Sequence, residues 1–244
     1  NLKLVEYEVY RSSIRNEQKL FYQTLYSKHK CKESTQPFFD TDMIKLNNIE
    51  RQKCEGILNE FECSQALRTM KNQKSPGSDG LTTEFYKIFW NDIKNYLINS
   101  LNYSFNHNKL TELQSQSLIT LLPKVGKDQH MLANWRPISL LNTDYKIATK
   151  AIANRLKQVV DKIINSNQTG FIKGRYIGEN IRLLHEFFDF VNKEDLSSLV
   201  FFADFEKAFD SINHSFMYKC LEKLNFGQSF IKWIKLLYNN ANSC

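Results

Sequence analysis

Near the end of this 244-residue chain, the run Leu199-Val200-Phe201-Phe202-Ala203-Asp204 places a carboxylate where a continuous apolar stretch gives out. A β-prone run of this length suggests a strand buried on both faces. The strand would fix the carboxylate, and the turn that follows, Phe205-Glu206-Lys207-Ala208-Phe209-Asp210, would leave it within reach. A buried carboxylate without a partner is costly, so Asp204 implies a salt bridge, a helix cap or a metal. A cap is the commonest of these. The metal reading is the most demanding. Nucleotidyl transfer uses two Mg²⁺ ions that clamp the attacking and leaving oxygens. Each hard cation takes several oxygen ligands, so at least two carboxylates must converge. Asp204 supplies one, and Asp210 is near enough across the turn to approach the same site without being assigned as a ligand.

The second chemical signal is charge. Of the net charge of +7, the whole excess lies in residues 109–182, which hold 12 Lys or Arg against 5 Asp or Glu. A localised basic surface is the footprint of a polyanionic partner, and nucleic acid is favoured over a merely solvated face. Cys31, Cys54, Cys63, Cys220 and Cys244 are odd in number and widely spaced. This argues against a disulfide framework or a zinc ribbon and for reduced, mostly buried thiols. No apolar run reaches the length of a membrane span and no signal peptide is visible, which fits an intracellular compartment. The chain begins at Asn1, as an internal fragment would.

The elements that must position these groups follow from periodicity. With 42% apolar residues, only 8 Gly and 4 Pro, the composition favours an α-rich or α+β fold over a sandwich of short strands. A helix is expected within 1–30, with Ile14, Phe21 and Leu25 on one stripe and Tyr10 and Tyr22 beside it. Residues 31–41 read as a linker, and a short helix is predicted over 64–72 with Ser64 as its N-cap. Lys74-Ser75-Pro76-Gly77-Ser78-Asp79-Gly80 demands a loop. One long helix is then predicted from the four-residue spacing of Phe85, Phe89, Ile93, Leu97, Leu101 and Phe105.

A buried strand over 118–122 ending at Pro123, a polar loop and a second strand over 136–141 make a long-tipped hairpin, with Lys124 and Arg136 near its tip. A helix carrying Tyr145, Ala148, Ile152, Leu156, Val159 and Ile163 on its buried stripe would present Lys146, Lys150, Arg155 and Lys157 as positive charge. Gln168 to Arg175 forms a basic, Gly-containing loop, and 181–191 is helical. Two further helices are expected, one from about Ser215 with Phe216, Cys220 and Leu224 on a stripe, and one from about Ser229 with Ile231, Ile234 and Leu237.

Taken in order, these segments resemble the reverse transcriptase of LINE-type non-LTR retrotransposons. Lys74 to Gly80 with Glu84-Phe85-Tyr86 is similar to an early block of that family. Leu121-Leu122-Pro123-Lys124 and Asn134-Trp135-Arg136-Pro137-Ile138-Ser139-Leu140 resemble two strands of its fingers. Lys150 to Leu156 resembles the following helix, and Gln168-Thr169-Gly170-Phe171-Ile172 the next block. Asp204-Phe205-Glu206-Lys207-Ala208-Phe209-Asp210 resembles the palm segment with the first catalytic aspartate. Each block is weak alone; six in order across 74–210 are specific.

The resemblance implies an α+β right-hand polymerase: a helical N-terminal extension (1–72), fingers with a β-hairpin (73–190), and the first palm strand in an incomplete palm (191–244). It implies Mg²⁺ as cofactor with Asp204 as a ligand, and contact of the incoming nucleotide with the backbone just after it, at Phe205. Phe209 would pack against the sugar and exclude a 2′-hydroxyl, with core packing as its alternative. Lys124 and Arg136 would hold the triphosphate, a task suited to the planar fork of Arg. Gln168, Gly170, Lys173 and Arg175 would lie along the template. The implied partners are an RNA template, a DNA primer or target and deoxynucleoside triphosphates, with no membrane, in nucleus and cytoplasm. Template contacts would be mainly to sugar and phosphate, and so sensitive to salt.

The family's Arg-Gln-Gly block and its Asp-Asp turn are not found, and the chain stops where both would be expected. The expectation is an N-terminal part of the domain, inactive alone, whose lone palm strand exposes a hydrophobic edge. The alternatives are a non-catalytic nucleic-acid-binding remnant of a degenerate element and, more weakly, a group II intron maturase or a viral RNA-copying enzyme. Phe209 argues against the last.

Overall fold

The computed structural model describes residues 14–24, 43–205 and 212–239, and the backbone of 242–243. In the N-terminal region, 14–24 is helical (α1), with Tyr22 buried and Ile14 exposed. Tyr10, Leu25 and the linker over 31–41 lie outside the described residues.

Two capping boxes then set the register. Helix α2 (Asn48–Gln52) starts at Asn47, whose side chain accepts from the Glu50 N–H while Glu50 accepts from Asn47. Helix α3 (Glu60–Arg68) starts the same way at Asn59, paired with Glu62. The helix predicted from Ser64 thus begins earlier. An Asn-x-x-Glu box satisfies two free N–H groups reciprocally and outcompetes a lone serine. The Ser64 hydroxyl accepts instead from Trp90 Nε1 at 2.8 Å.

The long helix predicted across 85–105 is two: α4 (Thr83–Ile88), capped by Thr82, and α5 (Trp90–His107). At the break, Phe89 leaves helical geometry (φ −93°, ψ 13°). The stripe is interrupted there: Phe89 is exposed, while Leu101 and Phe105 are buried and Phe85, Ile93 and Leu97 pack against the core. After α6 (Glu112–Ser115), strands β1 (Gln116–Pro123) and β2 (Trp135–Leu141) form the antiparallel hairpin, in register from Ser117↔Leu141 to Pro123↔Trp135. A 3₁₀ turn (Leu132–Asn134) leads into β2. A two-residue strand, β3 (Asn242–Ser243), runs parallel to β1, giving the order β2-β1-β3. Strand β1, expected to be buried, has only Ser117 fully covered.

Helix α7 (Thr143–Lys157) buries Ile147, Ala148, Ala151 and Ile152 on one stripe and gives way at Val159 to a short α8 (Val160–Ile163). Helix α9 (Gly178–Lys193) is amphipathic yet has no buried residue. Helices α10 (His214–Lys223) and α11 (Gln228–Tyr238) form the final pair. Leu199 to Asp204, expected to be a palm strand, carries no regular secondary structure, and Leu199, Phe201 and Phe202 are exposed. A strand needs a neighbour to accept its ladder, and among the described residues none pairs with this segment.

The core joins the ends of the chain to its middle. Trp233 and Phe230 of α11 are fully buried, and Trp233 stacks on Phe105 at 4.5 Å. Around them lie Leu46, Leu58, Leu101, Ile147 and Ile152, so 1–72, 73–190 and 191–244 all contribute to one apolar cluster. Glu55 caps α11, accepting from Ser229 N–H and Phe230 N–H at 3.1 Å each. A Cβ at Gly227 would sit 2.1 Å from that carboxylate, so a larger residue there would have to displace the Glu55 side chain from its cap.

Arg155 corrects a sequence expectation. Rather than presenting charge with its neighbouring lysines, it is 3% exposed. Nε and Nη2 bind the Glu62 carboxylate at 2.6 and 2.8 Å, and the remaining N–H groups reach the carbonyls of Cys54, Gly56 and Ile57. All five guanidinium donors are used. A lysine could not reproduce this planar fork.

Candidate functional site

The loop Lys74–Gly80 is clipped to the junction between β2 and α7. Gly77 lies so close to Asn142 that a Cβ would stand 2.0 Å from Oδ1 and 2.5 Å from the backbone N. Asn142 is buried; its Oδ1 accepts from Asp79 N–H (3.3 Å) and the Ser78 hydroxyl (3.4 Å), and its Nδ2 donates to Leu113 O (2.8 Å). Thr143 Oγ1 donates to Leu81 O at 2.8 Å. At the next residue, burial pushes the Asp144 carboxyl above its ordinary value, and the nearby negative charge of Asp79 adds to the rise. Hydrogen bonds from Tyr145 N–H (2.6 Å) and the Gln114 side chain oppose it. Neither Asn142 nor Asp144 was singled out in the sequence; the available signal was an Asn directly before a helical stripe.

At the far end of the hairpin, Lys124 follows β1 directly. Its backbone N–H donates to Asn134 O and its Nζ to Ala133 O, both at 2.8 Å. Arg136 sits opposite Leu122 across the ladder, exposed and in no ion pair among the described residues. The intervening loop is laced internally: Trp135 Nε1 donates to Gln129 O and Asn134 Nδ2 to Asp128 O. The hairpin thus brings Lys124 and Arg136 to one rigid tip.

The loop after α8 is organised by Arg175. Its guanidinium donates to the carbonyls of Gln168 (2.7 Å), Ile164 (2.9 Å), Asp161 (3.3 Å) and Asn165. Gln168, Gly170 and Lys173 remain exposed, while Thr169 is buried. A cleft of about 240 Å³ between this loop and the end of α7 is lined by Lys157, Gln158, Asp161, Ile172 and Lys173 among others.

Asp204 is exposed and joins neither an ion pair nor a hydrogen bond to the hairpin among the described residues. Phe205 is exposed beside it, and Phe209 and Asp210 lie outside the described residues. A hard divalent cation takes several oxygens. Among the described residues no group of three or more His, Cys, Asp or Glu converges. No described helix is long and apolar enough to cross a membrane.

A helical core bearing a small antiparallel hairpin with a basic tip defines a mixed helix-and-strand domain. Comparison with known proteins then fixes the family. The model of the reverse transcriptase (RNA-dependent DNA polymerase) family matches residues 122–244. The transposon TX1 uncharacterized 149 kDa protein of Xenopus laevis is 34% identical over 229 residues, 94% of this chain and 17% of that protein. The probable RNA-directed DNA polymerase from transposon BS of Drosophila melanogaster is 28% identical over 167 residues, 67% of this chain and 18% of its own length. The Pol polyprotein of the type-1 retrotransposable element R1 of Bradysia coprophila is 27% identical over 202 residues, 79% of this chain and 19% of its own. The chain belongs to the reverse transcriptase family, among the polymerases of non-LTR retrotransposons. It spans less than a fifth of the length of these relatives.

Proposed function

We propose that this chain forms part of an RNA-directed DNA polymerase of a non-LTR retrotransposon, which adds deoxynucleotides to a DNA primer under the direction of an RNA template. Residues 1–244 alone are inactive in this reading, and nucleotidyl transfer by a two-metal mechanism belongs to the parent polypeptide. The observation that carries it lies within the matched residues 122–244: an exposed Arg136 on a rigid hairpin tip and an exposed Asp204 beyond it.

Arg136 is assigned to the nucleotide triphosphate, its fork matching two phosphate oxygens. Lys124 assists by exchanging the Ala133 carbonyl for phosphate. Phe205 supplies backbone contact to the nucleotide and Phe209 selects against a 2′-hydroxyl. Asp204 provides one Mg²⁺ ligand, to be joined by carboxylates outside the described residues. Gln168, Gly170 and Lys173 face the template, and Arg175 serves that surface by tying the loop beneath it. The right-hand organisation, with its extension at 1–72, fingers at 73–190 and palm from 191, and a nuclear and cytoplasmic location are parts of the same proposal.

Primer extension tests it. Residues 1–244 should give no extension on an RNA template. A polypeptide continued through an Asp-Asp turn should extend with deoxynucleotides in Mg²⁺ and lose this on Asp204→Asn. Extension that survives Asp204→Asn would overturn the assignment. Template binding without extension by the longer polypeptide would favour the non-catalytic alternative.

A further inference from the structure

Helix α9 and the residues that follow it keep a large apolar surface in water. Between Ile181 and Phe202, nine large apolar side chains are 39–92% exposed, and five of them are phenylalanine. α9 buries no residue, although Ile181, Leu184, Phe188 and Val191 recur at helical spacing along one side. Its charges are spent on the opposite side, where Arg182 pairs with Glu186 at 3.2 Å and Glu179 at 3.8 Å. The five phenylalanines alone leave on the order of 600 Å² uncovered, against roughly 800 Å² that each partner gives to a standard protein interface. Soluble monomers rarely expose so much apolar surface.

The chain leaves α9 through Asp195, in the left-handed region at φ 49°, and Leu196 N–H returns to Val191 O at 3.0 Å. Beyond this turn, no backbone hydrogen bond joins Leu199–Asp204 to any described residue. The run is β-prone, free of Gly and Pro, and uncharged until Asp204, as segments that pair between chains are. Its charge selects the direction of pairing. Two copies in parallel register would set Asp204 beside Asp204, and like charges directly opposite repel.

Antiparallel pairing about Phe201 avoids this. Asp204 then lies opposite Ser198, Ala203 opposite Leu199 and Phe202 opposite Val200, while Phe201 meets its own copy on a twofold axis. Alternate residues share a face, so Leu199, Phe201 and Ala203 make one face wholly apolar. A two-stranded ribbon is marginal in water without a covering layer. The apolar side of α9 supplies that layer.

We propose that the partner of this surface is a second copy of the chain: Leu199–Asp204 of two copies pair antiparallel about Phe201, and the apolar sides of α9 close over the ribbon to form a symmetric dimer. The inference does not rest on the polymerase reading. A longer polypeptide that pairs this segment within itself excludes the dimer, so the two arrangements compete for the same residues.

The test uses the full chain. Sedimentation velocity over a concentration series should show a monomer–dimer equilibrium. Phe201→Asp/Phe202→Asp should weaken association on the order of tenfold or more, because buried aromatic anchors dominate interfaces. Phe188→Asp on α9 should act in the same direction. Val125→Asp, at a fully exposed apolar position on the hairpin tip, should associate like wild type. A chain that stays monomeric at every concentration would overturn the proposal, as would association that survives Phe201→Asp/Phe202→Asp.

Cysteine pairing reads the geometry and serves if the double variant does not fold. Under mild oxidation, Phe201→Cys should give a 201–201 disulfide, mapped by mass spectrometry against wild type as the background of native cysteines. An equimolar mixture of Leu199→Cys and Ala203→Cys chains should favour the 199–203 disulfide over 199–199 and 203–203. The reverse preference would mean parallel pairing and overturn the arrangement. A dimer that forms none of these disulfides would place the contact elsewhere and also overturn it. A failed primer-extension test leaves this dimer standing, and a monomeric chain leaves the polymerase reading in place.

Discussion

Gly77 and Asn142, 65 positions apart in sequence, meet so closely that the glycine has no room for a methyl group. The contact fixes the Lys74–Gly80 loop to the root of α7, and the atoms a Cβ would strike include the backbone N of Asn142 and C of Leu141. Backbone cannot rotate away as a flexible side chain can. Gly77→Ala should therefore cost ~3 kcal/mol, the upper end of overpacking penalties. Gly80, in the same loop, has φ +71° and open space around it, so Gly80→Ala should cost only the left-handed strain of about 1–2 kcal/mol. Urea melts of the two variants give the comparison; equal destabilisation would show that the close approach does not exist.

Arg155 and Glu62 form the second long-range tie, at 2.6 Å between α7 and α3. Removing Arg155 alone would leave Glu62 and three carbonyls without their partner. Arg155→Met should cost about 3–5 kcal/mol, the usual penalty for breaking a buried pair from one side. Glu62 keeps partial solvent access, so Glu62→Gln should cost less, and the double variant should be milder than the sum of the two. Strict additivity in denaturant melts would contradict a direct coupling.

These two ties show what was legible in the sequence. Period and turn chemistry identified the hairpin, α7, α10 and α11, and the apolar stripes of α7 and α11 face the core that Trp233 and Phe105 help to build. The same reasoning misplaced Arg155, since helical spacing locates a residue on a flank but cannot see that the 54–57 turn will wrap over that flank. It also made Leu199–Asp204 a strand, because β propensity reports a residue's fitness for a sheet and not the presence of a neighbour to pair with. The basic tip at Lys124 and Arg136 was readable from the hairpin pattern alone. The Asn142 clip was not, because its partners lie in a loop over sixty residues earlier.

Asp144 and Glu84 should give opposite responses to pH. Burial raises the Asp144 carboxyl from 3.8, so the folded state binds a proton more readily than the unfolded chain. The linkage makes stability fall as pH rises from about 3.8 to the folded value, leaving a penalty at neutral pH. Asp144→Asn should remove that penalty and flatten the profile in this window. Glu84 is lowered from 4.5, chiefly by the Gln73 N–H. Its contribution is present above 4.5 and lost as pH falls through the folded value, so Glu84→Gln should be neutral in strong acid and destabilising near pH 7. Thermal melts of both variants across pH 3–7 read the two signs; a common sign would refute the assignment.

Cys54 and Cys63 should be inert in the folded chain. Both are fully buried. Burial pushes the Cys54 thiol up to about 11 and the Cys63 thiol up to about 12. The thiolate is the reactive form, and little exists at pH 8 at either position. Labelling with iodoacetamide at pH 8, mapped by mass spectrometry, should leave both unmodified until denaturant is added. Cys220, half-buried and raised less, should label earlier. Rapid labelling of Cys63 in the native chain would mean that α3 does not pack as described.

Arg136 and Arg175 offer the sharpest contrast, since both are arginines expected from sequence to touch ligand. Arg136 is exposed on the ladder and free of ion pairs among the described residues, so Arg136→Ala should leave stability within about 0.5 kcal/mol. Its effect should appear in the affinity for nucleotide triphosphate. Arg175 spends its guanidinium on four carbonyls of the 161–168 segment. Arg175→Ala leaves those acceptors unmatched and should cost about 1–3 kcal/mol. It should also speed proteolytic cleavage between α8 and α9, while Arg175→Lys should rescue only part of the loss, because an ammonium cannot span the four oxygens as a planar fork does. Limited proteolysis with mapped fragments distinguishes them: Arg136→Ala should cut like wild type. If instead Arg175→Ala is as resistant as wild type, the loop is held by something other than this side chain.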